Sequence, residues 1–163
     1  MRVEYINPFV ESTFDMLTQC VGSDVKRGEL SLKPTSKEIS GVAVLVGLAG
    51  DVEGRVLLDM NKETALYVAE AMYKTMIDPG FAGFGGFDDE AKSTIQELAN
   101  LVTAQAVTKL HDLGFKFDLT PPALFTGDNM EIAQTGIEAL IVPMLLGADR
   151  KIAVNVAIRE KSK

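Results

Sequence analysis

Apolar positions along the chain repeat with two periods, and the switches between them divide the sequence into elements. Val10, Phe14, Leu17 and Val21 recur at helical spacing, as do Leu66, Ala69, Met72 and Met76. A longer series of Ala91, Ile95, Leu98, Ala99, Val102, Ala106, Leu110 and Leu113 forms one stripe at about 100° per residue. Boundary residues accompany each series. Asn7 before Pro8 predicts a capped start with proline at the first helical position, and Gly22 predicts the end of that helix. Asn61 opens the second helix, which stops before Asp78-Pro79-Gly80. Asp88, Asp89 and Glu90 put negative charge in the first turn of the third, where the macrodipole favours it, and Gly114 ends it.

Between the helices the pattern changes to β-branched runs. GVAVLVGLAGDVEGRVLLDM and EALIVPMLLGADRKIAVNVAIRE each read as a hairpin, with GELSLKP and FKFDL as short strands and TPPALFTGDN as a proline-containing loop. Both hairpins share an outline of apolar strand, Gly and Asp at the turn, a basic residue, then apolar strand. This points to an internal duplication of a helix-hairpin-helix unit. The expected fold class is α+β: a central, mostly antiparallel sheet with long helices packed on it, in a single domain over residues 1–163.

Composition narrows the function classes. The chain is 47% hydrophobic and 24% charged, which is globular, and its net charge of -7 without a basic stripe argues against nucleic acid as a partner. One cysteine, Cys20, rules out an internal disulfide. With one histidine, His111, any histidine-based metal site or nucleophilic triad would depend on a single imidazole; its place in a last helical turn suits a cation instead. Glu4, Asn7 and Glu11 interrupt what a signal peptide would need, and no charge-free run is long enough for membrane insertion, so a cytoplasmic location is expected. FAGFGGF follows a helix and lacks the GK[ST] ending of a phosphate cradle, which makes it a flexible connector. The acids at 88–90 are explained by the helix start rather than by a metal.

Candidate chemistry lies on the third helix. Ser93, Glu97 and Asn100, spaced four and three apart, share one face opposite the apolar stripe, with Ala104 leaving the next turn low and open. On spacing alone such a row is most often a solvated helix surface. Asparagine, however, is a poor helix residue, and no lysine or arginine inside the row pairs the acid.

Ser93-x-x-x-Glu97-x-x-Asn100 fits the D/S-x-x-x-E-x-x-N signature of the CheC, CheX and FliY chemotaxis phosphatases. INPFVEST, the ELAN run and PPALFTG occur in matching order, so nearly the whole chain resembles the CheX branch. The resemblance implies a phosphatase of a phosphorylated CheY-like response regulator. Asn100 would orient water for aspartyl-phosphate hydrolysis and Glu97 would accept a salt bridge from the regulator's lysine. Ser93 and Ala104 would contact the partner; Ala104 stands where the family leads one to expect glycine. No cofactor or metal would be held by this chain, the Mg²⁺ being the regulator's. If the first helix is the partner copy of the third, Asn7-x-x-x-Glu11-x-x-Phe14 is the corresponding row, and a phenyl ring cannot orient water. One working site is therefore expected, together with a homodimer that covers an otherwise exposed hairpin edge. The competing expectation is a non-catalytic CheX-like interaction or scaffold module.

Overall fold

The computed structural model describes residues 3–22, 24–33, 37–38, 41–127, 131–132 and 138–161. In chain order these form α1 (Val3–Val21), β1 (Val25–Arg27), β2 (Ser31–Lys33), β3 (Lys37–Glu38), β4 (Val42–Gly50), β5 (Val52–Met60), α2 (Lys62–Met76) and α3 (Asp89–Asp112). Then follow β6 (Phe117–Leu119), β7 (Ala123–Thr126), β8 (Glu131–Ile132), β9 (Ala139–Leu146) and β10 (Arg150–Glu160).

The two hairpins, β4–β5 and β9–β10, lie side by side in one antiparallel sheet of order β1-β9-β10-β5-β4-β6, joined at the centre by β5 and β10. Their outer edges are not bare. β1 and β2 pair with β9, while β6 and β7 pair with β4. Each half of the chain thus sends its short strands to cover the other half's hairpin. The long exposed edge expected from the sequence is absent among the described strands, because short strands saturate its backbone groups. PPALFTG is likewise not all loop, since Ala123–Thr126 is the strand β7.

In the two hairpins the even-numbered residues face the helices. Val44, Val46, Val56, Leu58, Val142, Met144, Val154 and Val156 are buried there with the apolar stripes of α1, α2 and α3. Period two on the strands and 3.6 on the helices therefore converge on one core. Cys20 lies in it as a free thiol, and burial pushes its pKa up to about 11.

Several boundaries depart from the sequence reading. α1 begins at Val3, so Pro8 lies inside the helix and Asn7 is not its cap. Tyr5 and Ile6 are both 2% exposed, and Tyr5 packs edge-on against Phe115 at 4.8 Å. Burial of those side chains outweighs the one helical hydrogen bond that proline forgoes. Met76 and Leu113, assigned to apolar faces, are 41% and 61% exposed because each lies where its helix runs past the core. His111 lies in the last turn of α3, where its Nε2 accepts a long hydrogen bond from the Phe117 N–H at 3.4 Å. The glycine-rich connector is anchored, with Phe81 and Phe84 stacked on Tyr73 of α2 at 4.3 and 5.5 Å. Among the described residues no helix is long and apolar enough to cross a membrane.

Candidate functional site

α3 is fixed at both ends before its outward face is considered. The Asp88 side chain caps it by accepting from the Ala91 N–H at 2.9 Å, with Asp89 and Glu90 in the first turn. At the far end the Gly114 N–H donates to the His111 carbonyl, with Gly114 at φ 92°, a left-handed conformation that suits glycine. Ile95, Leu98, Val102, Ala106 and Leu110 are fully buried under it. A helix anchored along that stripe holds its opposite face still.

On that opposite face Ser93, Glu97, Asn100 and Ala104 are all exposed, as the spacing predicts. Neither the Glu97 carboxylate nor the Asn100 carboxamide hydrogen-bonds or pairs with any described residue of the chain, so both present their full bonding capacity outward. Asn100 contributes only its backbone carbonyl, which accepts from Thr103 Oγ1 at 3.2 Å. Ala104 closes the row, its carbonyl accepting from Thr108 Oγ1 at 3.0 Å.

The row stands as a ridge between two depressions, neither of which could be read from helical spacing. On one side lies a shallow hollow of about 460 Å³ whose far wall is Leu119, Thr120, Pro121 and Pro122. Two clamps hold that wall. Gln96 Nε2 donates to the Pro122 carbonyl at 3.3 Å, and Thr120 is tied to β4, its Oγ1 accepting from the Gly47 N–H at 2.7 Å while its own N–H donates to the Gly47 carbonyl at 3.0 Å. A Cβ at Gly47 would lie 3.0 Å from Thr120 Cγ2, so glycine here is what lets the wall sit down on the strand. A glycine in the middle of an apolar strand was the one signal in the sequence for this approach. On the other side of the ridge a second, apolar depression of about 380 Å³ runs to the end of α2 and shares Ser93 and Glu97 with the first.

The ridge contains a carboxylate, a carboxamide and a hydroxyl. No hydrogen bond joins the Ser93 hydroxyl to the Glu97 carboxylate as a nucleophile to its base, and among the described residues no three His, Cys, Asp or Glu side chains converge as a metal site. The carboxamide can position a water by accepting from it but takes no proton, and the carboxylate can receive a cation.

A family described as "Chemotaxis phosphatase CheX" matches residues 42–145. The chain is 24% identical over 159 residues to the CheY-P phosphatase CheX of Thermotoga maritima, covering 98% of each. Among solved structures it is similar to the CheX-CheY-BeF3-Mg²⁺ complex from Borrelia burgdorferi, at 41% identity and a TM-score of 0.80 over 98% of this chain and 100% of that one. A CheC-like superfamily protein from Shewanella sp. PV-4 shares the fold, with a TM-score of 0.81 at 24% identity over 98% and 99% of the two chains.

Proposed function

The chain belongs to the chemotaxis phosphatase CheX family, and from that premise we propose that it hydrolyses the aspartyl phosphate of a CheY-like response regulator through Glu97 and Asn100. The observation that carries this reading is that both side chains are exposed and unpaired on one face of a helix whose other face is fully buried. Three residues apart, they stand about 4.5 Å from each other along the helix axis, close enough to enter one pocket of a partner together.

Asn100 Oδ1 accepts a hydrogen bond from a water and holds its oxygen in line with the phosphorus. Positioning is most of what such a transfer requires of the protein. As the water's oxygen bonds to phosphorus, the bond from phosphorus to the aspartyl oxygen breaks. Inorganic phosphate leaves with the water's protons distributed to it and to solvent, and the aspartate returns as a carboxylate. Glu97 accepts a charge-assisted bond from the regulator's active-site lysine and fixes the register of the two proteins. Ser93 and Ala104 are the contact surface above and below. Mg²⁺ is the regulator's own in this reading, and the three polar groups of the ridge offer no ligand set for it.

Such a half-site demands rigidity more than chemical variety, and the buried stripe of α3 and the clamped wall beside it supply that. The reading also places the protein in the cytoplasm with its regulator and makes it a homodimer. Leu30 at 59% exposure and Phe125 at 45%, on opposite outer borders of the sheet, support an association of sheet edges. Light scattering should then return twice the 17.6 kDa of one chain.

The phosphatase is tested by adding the protein to a phosphorylated CheY-like regulator and following phosphate release. Release should accelerate, and Asn100→Ala should lose about a hundredfold or more of that acceleration while melting at the same temperature, since its side chain supports nothing in the fold. Full activity in Asn100→Ala would falsify the mechanism.

A further inference from the structure

The reaction leaves the second depression unused. Met72, Tyr73 and Ile77 form its apolar side at the end of α2, and Asp89, Glu90 and Glu97 edge it along α3. Ile77 is 60% exposed although it lines an apolar hollow rather than a polar surface. The side is also set in advance, because Tyr73 is held by Phe81 and Phe84, which contact each other at 4.7 Å. None of the three acids is in an ion pair among the described residues.

We infer that this groove is the recognition subsite for the regulator, receiving an aliphatic side chain that lies beside a lysine or arginine on the partner's surface. The inference rests on the proposed function: Ser93 and Glu97 line both hollows, so a partner seated over the reacting row also covers the groove. An aliphatic anchor desolvates Ile77, which is exposed beside the already buried Met72, and a basic neighbour meets the unpaired acids. A regulator that carries an acid there meets like charge. The groove would thus select among regulators that all share the same phosphorylated pocket.

The test measures the Kd of a CheY-like regulator activated with BeF3 and Mg²⁺, together with phosphate release, for Ile77→Asp, Ile77→Leu, the pair Asp89→Asn with Glu90→Gln, and Asn100→Ala. Ile77→Asp should weaken binding about tenfold or more and Ile77→Leu should restore it. The neutralised pair should weaken binding about threefold and flatten its salt dependence. Since Ile77 is exposed, the aspartate variant should fold, and its melting curve checks this. Unchanged binding in Ile77→Asp overturns the inference. So does a change confined to the sedimentation mass, which would assign the groove to a second copy of the chain. Asn100→Ala separates the two ideas: if it stays active the water-positioning reading fails whatever Ile77 does, and if it is inactive while Ile77→Asp binds normally, only the groove fails.

Discussion

The outward faces of α1 and α3 start alike and end differently. Glu11 and Glu97 each stand eight residues past the first residue of their helix, Val3 and Asp89, and both are exposed. On α1 the acid is already engaged: Lys109 reaches Glu11 at 3.5 Å and Asp15 at 3.8 Å. Three residues further, Phe14 is half-buried against the core with the Arg27 guanidinium 5.2 Å from its ring centroid. On α3 the equivalent acid is unpaired and the residue three further is the exposed Asn100. An exposed ion pair adds little stability, about 0–1 kcal/mol, yet it occupies the carboxylate all the same. Exposure is common to both acids; what separates them is whether the chain satisfies its own polar groups or leaves them for a partner.

The sharpest way to break that contrast is to make α3 resemble α1. Asn100→Phe should reduce phosphate release about a hundredfold or more and also obstruct docking, a larger loss than Asn100→Ala in a Kd measurement. A smaller effect is expected from the wall. Gly47→Val should push Thr120 outward and loosen the Pro121-Pro122 segment, raising KM several-fold with kcat little changed, an effect on the order of 1 kcal/mol. Steady-state kinetics separates this from general instability, because unfolding would lower the active fraction and leave KM alone. The mildest change runs in the opposite direction. Phe14→Asn should create no second activity, even in an Asn100→Ala background, because Lys109 still holds Glu11. It should lower stability by about 1–3 kcal/mol in denaturant titration through lost packing. Phosphate release from that double variant would show that the α1 row is less silent than its contacts indicate.

Much of the fold and half of the site could be read before any coordinates. Long elements with a sustained period, α3 and both hairpins above all, announce themselves, because each side chain of the stripe must meet the same core. The row Ser93, Glu97, Asn100 follows from that same arithmetic, as residues opposite the stripe have nowhere to point but outward. β2 and β6 lie within GELSLKP and FKFDL, segments legible as short strands, but β1 and β7 are too short for a period to develop, and PPALFTG reads as loop although it contains a strand. Asn7-Pro8 misled for another reason: the local capping signal was genuine, but tertiary burial of Tyr5 and Ile6 extended the helix past it. The flanking hollows were out of reach altogether. They join Gln96 to Pro122, Thr120 to Gly47 and Ile77 to Glu90, contacts between distant parts of the chain that no single-element pattern encodes.

The exchange of short strands between the halves has a consequence for the silent helix. Cut the chain before α3, and each fragment loses the strands that cap its hairpin, exposing a row of unpaired amides and carbonyls ready to stack on any neighbour. The half without a working row is therefore not a relic that can be discarded. It is the lid on the working half's open flank, and a shortened protein bearing every reactive group intact should precipitate before it could turn over a single substrate.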